Sequence, residues 1–367
     1  MAIKIGLVGL SQSGKTTLFN ALTGKMEKTG SFGVSEDHLA TIAVPDSRID
    51  HLTKVYSPKK TTYAQVDFID VGGQALANQK ANMGKENVSL NQLRQVDALA
   101  QVIRLFDDES VLHPDGSIDA VRDVQNLNSD LVIADMISIE KRLEKLDANI
   151  KRMGRNAGTD EKEKEILLRL QAALNEGQFI SQVDLTSEEK KIIKGFCFLT
   201  QKPSIYIANI GEDQVGSDSS ENLKRLEQYA SEHGIPMISV CGKMEMEIME
   251  LPEADRAEYL GGLGITETGR NKLLQAAYSA CNLISFLTAG EDEVRAWTIH
   301  RGDVAPEAAG TIHSDFQQGF IRAEVVNFKD FVEAGGFTQA KQKGWVRLEG
   351  KEYVVQDGDI INFRFNV

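Results

Sequence analysis

Gly9-Leu-Ser-Gln-Ser-Gly14-Lys15-Thr16 constrains this chain more than any other stretch. It fits G-x-x-x-x-G-K-[ST], a loop that cradles phosphate. Ile3, Ile5, Leu7 and Val8 before it read as a short buried strand, and Thr17 to Thr23 after it as a helix ending at Gly24. The glycines let the backbone curl its N–H groups inward, and the helix N-terminus adds partial positive charge. Lys15 is placed to reach the β- and γ-phosphates of a nucleotide, and the Thr16 hydroxyl to ligate Mg²⁺. Gly9, Ser11, Gln12, Ser13, Gly14, Lys15, Thr16 and Thr17 are the expected phosphate contacts.

Such a loop needs partners further along the chain. Lys25 to Asp46 reads as a first switch loop, where a hydroxyl would meet Mg²⁺ and the γ-phosphate. Ser35 is the first candidate, with Thr29, Ser31 and Thr41 as rivals and a loop without a metal ligand as the alternative. Thr62 to Ile69 reads as a strand that delivers Asp70-Val-Gly-Gly73-Gln74. Asp70 suits a grip on Mg²⁺ through water, the Gly73 amide would sense the γ-phosphate, and Gln74 stands where Ras-type enzymes orient the attacking water. A solvated loop residue is the competing reading of Gln74.

Ala98 to Phe106 reads as a third buried strand and Ser204 to Asn209 as a fourth. The fourth ends in Asn209-Ile-Gly-Glu212, where a GTPase carries Asn-Lys-x-Asp. Ile210 replaces the lysine that covers guanine, and Glu212 replaces the aspartate that accepts from guanine N1 and N2. The longer glutamate weakens that bidentate fit, and a site built for such bonds loses heavily when they are mispaired. The base is therefore open between ATP and GTP, with adenine favoured. Pro236 to Cys241 reads as the next strand, placing Ser239, Cys241 and Gly242 at the base edge. Met244 to Leu260 and Glu267 to Cys281 read as closing helices.

Between the strands the apolar period turns helical. Val124, Leu127, Leu131 and Ala134, then Met136, Ile139, Leu143, Leu146, Ile150 and Met153, recur at steps of three and four. Asp160 to Leu174 returns as a second helix, and Thr186-Ser-Glu-Glu189 is a capping box. From Leu283 the pattern is of short strands: Ile284–Thr288 with Val294–Ile299 as a hairpin, then Phe320–Val326, Tyr353–Val355 and Ile360–Phe365, with one or two short helices. The expected fold class is α/β: a Ras-like phosphate-loop domain in residues 1–121 and 201–282, an antiparallel helical hairpin inserted at 122–200, and an α+β β-grasp domain at 283–367.

Composition narrows the partners. The net charge of −13 argues against a nucleic-acid coat, and residues 283–367 carry nine Lys/Arg against thirteen Asp/Glu, so no DNA partner is expected. The apolar start is broken by Lys4 and runs into the phosphate loop, so no signal peptide is expected. No apolar run approaches the ~20 residues that span a bilayer; a cytoplasmic monomer away from membranes is the expectation. Cys197, Cys241 and Cys281 fit neither a disulfide framework nor zinc spacing and read as small buried hydrophobes.

Read to its end, the chain resembles the YchF family, the Obg-like ATPases. The likeness rests on Gly9 to Thr23, Val44-Pro-Asp46 with Arg48, the helical insert, Asn209-x-x-Glu212 and Cys241-Gly-Lys243. It rests above all on Gly290–Thr298, Ala309–Phe316, Gly319–Glu324 and Glu349–Gly358. The resemblance implies a Ras-like domain, a coiled-coil insert and a TGS (β-grasp) domain. It also implies ATP preferred over GTP through the Asn-x-x-Glu loop, weak hydrolysis and association with ribosomes. This chain departs from the family pattern. Ser11, Gln12, Ser13 and Thr16 stand in the places of the usual Pro, Asn, Val and Ser, and Gln12 replaces the asparagine that is a candidate ligand for K⁺. The family's switch-one threonine has no counterpart in Phe32–Asp37, and Gln74 stands where a hydrophobic residue is usual. Within this frame a slow hydrolase acting as a switch, a divergent GTPase and a non-hydrolysing adaptor are distinct functions.

Overall fold

The structure is a computed structural model and describes residues 3–24, 38–71, 88–153, 158–216, 220–262 and 267–366. The chain forms two compact units, Lys4–Ala40 with Phe68–Leu273, and Met1–Ile3 with Thr41–Asp67 and Leu274–Val367. Residues 41–67, expected within the nucleotide domain, thus group with the C-terminal part of the chain.

One six-stranded sheet has β1 (Ile3–Val8), β2 (His38–Ala43), β4 (Gln65–Asp70), β5 (Ala98–Arg104), β6 (Ser204–Asn209) and β7 (Met237–Val240) in the order β2-β4-β1-β5-β6-β7. β1 is parallel to β5, β5 to β6 and β6 to β7. Every residue of β5 is buried, as a parallel strand covered on both faces requires. The sequence reading missed β2, because His38-Leu-Ala-Thr-Ile-Ala43 carries only a weak alternation and lies in a stretch read as loop. Thr62–Ile69, read as one strand, divides at Tyr63-Ala64 into β3 (Lys60–Thr62) and β4. The helix expected over Met244–Leu260 is two, Gly242–Glu250 and Glu253–Gly262, because Pro252 has no N–H to continue the ladder.

The helix Ala120–Met153 runs 34 residues, about 50 Å at 1.5 Å per residue. It packs against Gly158–Asn175 through Ile139, Leu146, Ile166, Leu167, Leu170 and Leu174. Arg142 forks onto Glu163 at 2.7 and 2.8 Å across this hairpin. Its base is fixed by Asp135, which is fully buried. One oxygen accepts from Leu199 N and Arg94 Nη1, the other from Thr200 N and Thr200 Oγ1, all within 3.1 Å. Arg94 also donates to Ala134 O and Ser138 Oγ.

The second sheet has β8 (Leu283–Ala289), β9 (Glu293–His300), β10 (Phe320–Asn327), β11 (Arg347–Glu349) and β12 (Asp359–Phe365), in the order β11-β10-β12-β8-β9-β3. β8 and β9 form the expected antiparallel hairpin, and β3 joins β9 in parallel register. Two expectations are revised here. Tyr353–Val355 shrinks from a strand to a single antiparallel bridge between Val354 and Val304, with Tyr353 O accepting from Ala305 N and Val355 N donating to Asp303 O. The edge is β11 instead. Four short helices, Ala305–Ile312, Ser314–Gln318, Phe328–Ala334 and Phe337–Gln342, replace the expected one or two. Cys241 is buried as expected, whereas Cys281 is half-buried and Cys197 exposed. Among the described residues no helix is long and apolar enough to cross a membrane.

Asp135→Ala would leave Arg94 and two backbone N–H groups without their shared carboxylate. The expected loss is about 3–5 kcal/mol, typical of breaking a buried pair from one side. Urea denaturation followed by helical circular dichroism checks it.

Candidate nucleotide-binding site

The phosphate loop leaves the end of β1 and winds into the helix Lys15–Thr23. Gly14 sits at φ 90° in the left-handed region, and a Cβ there would lie 2.1 Å from Asn209 Nδ2. At Gly9 a Cβ would lie 2.5 Å from the Val102 carbonyl oxygen. Both positions therefore demand glycine. Gln12 adopts φ 62° and is exposed with Ser11, while Ser13 is buried and Thr17 half-buried in the first helical turn. That turn carries no acidic residue, so its unsatisfied N–H groups and dipole are not already neutralised.

Lys15 lies beneath the loop, 7% exposed. Its Nζ donates to Gly9 O at 3.0 Å and Leu10 O at 2.8 Å. Burial pushes its ammonium down to about 8, against the opposing charge of Asp70. Thr16 Oγ1 donates to Asp70 Oδ2 at 3.0 Å, so the end of β4 brings the two expected Mg²⁺ residues together. Oxygen donors of this kind, one hydroxyl and one carboxylate, suit Mg²⁺, which keeps most of its waters. Ser13 Oγ is buried without a hydrogen-bond partner among the described residues.

Asn209, at the end of β6, ties the loop to the base side. Its Nδ2 donates to Ser13 O at 3.0 Å, and its Oδ1 accepts from Gly242 N at 3.1 Å. Ile210 and Cys241 point their side chains into the apolar core with Tyr206 and Met244. Ile210 therefore does not take the place of a lysine lying over a base. Ser239 is inside β7 opposite Ala208, before the loop begins. Glu212 is half-exposed, and its Oε2 accepts from Lys243 Nζ at 2.8 Å. The sequence reading placed Lys243 in the Cys-Gly-Lys loop without giving it a role. It also missed Phe106, whose ring lies 3.6 Å from the Cβ position of Gly14 and whose Cβ lies 3.8 Å from that of Gly211. Only strand pairing brings Phe106 between the two loops. Ser35, Thr29, Ser31, Gly73 and Gln74 lie outside the described residues.

A family model described as a 50S ribosome-binding GTPase matches residues 4–172. A C-terminal YchF-type model, described as a protein of unknown function, matches residues 283–366. The ribosome-binding ATPase YchF of Bacillus subtilis is 42% identical over 100% of both chains. This chain belongs to the YchF family. The YchF proteins of Haemophilus influenzae and Escherichia coli O157:H7, also named ribosome-binding ATPases, are 38% and 36% identical over 100% of both chains. The structure of the Schizosaccharomyces pombe YchF GTPase matches at a TM-score of 0.82 and 30% identity, covering 99% of this chain and 97% of that one. The YchF fold accounts for both sheets and for the long helical hairpin.

A lysine lowered to about 8 from 10.5 binds fewer protons folded than unfolded between those values, so the free protein gains stability as pH rises through that window. Polyphosphate beside Lys15 pulls the value back up. Titration calorimetry with ADP at pH 8, in two buffers of different ionisation enthalpy, is expected to show uptake of roughly half a proton. No proton exchange would mean that the free lysine is already fully charged.

Proposed function

We propose that this YchF-family chain is a nucleotide-dependent switch that binds and slowly hydrolyses ATP with Mg²⁺ and acts on the ribosome. The phosphate loop with its buried lysine is the observation that carries the nucleotide reading. The curated relatives' shared name, ribosome-binding ATPase, supports the partner and the base. Lys15 would turn from the Gly9 and Leu10 carbonyls to the phosphates. Thr16 and Asp70 would hold Mg²⁺, which supplies charge neutralisation at the β- and γ-oxygens. Asn209 would keep the loop at its distance from the base side through its two hydrogen bonds.

Adenine preference is supported by the pairing of Glu212. A guanine-reading carboxylate must offer both oxygens to N1–H and N2–H, and here one oxygen already accepts from Lys243. Ribosome association through the helical hairpin or the C-terminal unit belongs to the same reading, whereas Gln12, in place of the asparagine that is the candidate K⁺ ligand, speaks against a K⁺ requirement. Turnover without the partner is expected on the order of 10⁻⁴ s⁻¹, as for an unassisted Ras-type site.

Calorimetric titration with non-hydrolysable ATP and GTP analogues in Mg²⁺ tests this. ATP is expected to bind tighter, and Lys15→Ala to weaken it by roughly 30-fold or more, the range of a charged hydrogen bond. Tighter GTP binding would make the chain a divergent GTPase, and unchanged affinity in Lys15→Ala would remove the phosphate-loop assignment. Phosphate release absent in the presence of ribosomes would leave an adaptor.

A further inference from the structure

Beneath the phosphate loop lies a small cavity lined by Ser11, Ser13, Arg104, His113 and Asp123 among others, leaving about 10 Å³ for the centre of a water-sized sphere. Two polar atoms of its lining residues, Ser13 Oγ and Arg104 Nη1, are buried and have no hydrogen-bond partner among the described residues. The residues that carry them are 2% and 3% exposed. An unmatched buried donor costs far more than a matched one gains, and two such groups on residues that line one cavity point to a shared ligand. The volume fits a single water, which needs about that space and two to four polar partners.

His113 and Asp123, which also line the cavity, already have protein partners. Asp115 N donates to His113 Nδ1 at 3.1 Å, which leaves the proton of the neutral ring on Nε2, facing Asp123 Oδ2 at 2.9 Å. Asp123 Oδ1 accepts from Arg122. Arg104 is held as well: its Nε donates to Phe106 O, its Nη2 to Asp108 O, and its guanidinium carbon lies 4.6 Å from the Phe106 ring centroid. The guanidinium is thus locked in place with Nη1 left over, on a residue that lines the cavity.

We propose that one ordered water bridges Arg104 Nη1 to Ser13 Oγ, and that Arg104 is a positioning residue for the phosphate loop. The water accepts from Arg104 and from the Ser13 hydroxyl, and its own protons are available to the Asp123 carboxylate. Ser13 is then gripped from two sides, its carbonyl by Asn209 and its hydroxyl through the water by Arg104. Arg104 also braces Phe106, whose ring packs beside Gly14. The loop is thereby held open at the curvature that phosphate requires. The proposal rests on the reading of this loop as a nucleotide site.

The test is a double-mutant cycle on ADP affinity by calorimetry, using Ser13→Ala, Arg104→Met and the double variant. Each single change is expected to weaken ADP roughly three- to tenfold, the range of one hydrogen bond, and the double change no more than the stronger single one. Additive losses would overturn the bridge. Ser13→Ala gives an independent answer if Arg104→Met does not fold. Without a bridging water, deleting an unmatched buried hydroxyl leaves ADP affinity unchanged or improved, and that result also overturns the proposal. A crystal structure at high resolution is expected to show the water between the two atoms. If the unmodified chain binds no ADP, the nucleotide reading itself fails, a result distinct from an unchanged Ser13→Ala.

Discussion

Asn209 is the group on which the candidate site depends. Its carboxamide has one donor end and one acceptor end, and both are used at once. The donor end holds Ser13 of the phosphate loop, and the acceptor end holds Gly242 at the start of the next helix. Three strand ends, β1, β6 and β7, are thereby fixed at their C-terminal edge, where open parallel sheets bind ligands. The approach is so close that Gly14 tolerates no side chain. Substituting either end of the amide would leave a buried backbone group without its partner.

The same economy recurs at the base of the helical hairpin. Asp135 is a buried carboxylate made tolerable because every donor around it is directed at it. Arg94, at the end of the helix Val88–Arg94, is one of those donors. The helix Val88–Arg94 is in this way fastened to the foot of the long helix. In the other unit, Arg48 plays a comparable part. It forks onto Asp46 and reaches Asp357 at 2.8 Å, and Asp357 in turn accepts from Ser285 N. Burial and the two carboxylates act on this guanidinium in opposite directions, and the carboxylates prevail, raising its pKa. The Val-Pro-Asp-x-Arg stretch is thus part of the scaffold around β8 and β12.

What the sequence by itself determined was local. A phosphate loop is a contiguous run whose glycines and lysine are set by backbone sterics and charge, so Gly9 to Thr16 could be read directly. The long helices were legible because a three-four apolar period persists over many turns. The capping box at Thr186 and Glu189 formed as read. Tertiary structure decided whatever depends on distant pairing. β3 is three residues long and exists because β9 offers it a hydrogen-bonding edge, and the strand expected at Tyr353–Val355 is cut to one bridge because only Val304 pairs with it. The base-side loop shows the same limit: Ile210 was displaced into the core, and Lys243 was drawn to Glu212 31 residues away in sequence. Likewise the lowered pKa of Lys15 comes from burial, and Ser13 and Arg104 line one cavity only because β5 runs beside β1. Local patterns fix which elements form. Long-range desolvation and hydrogen-bond satisfaction fix which side chains converge.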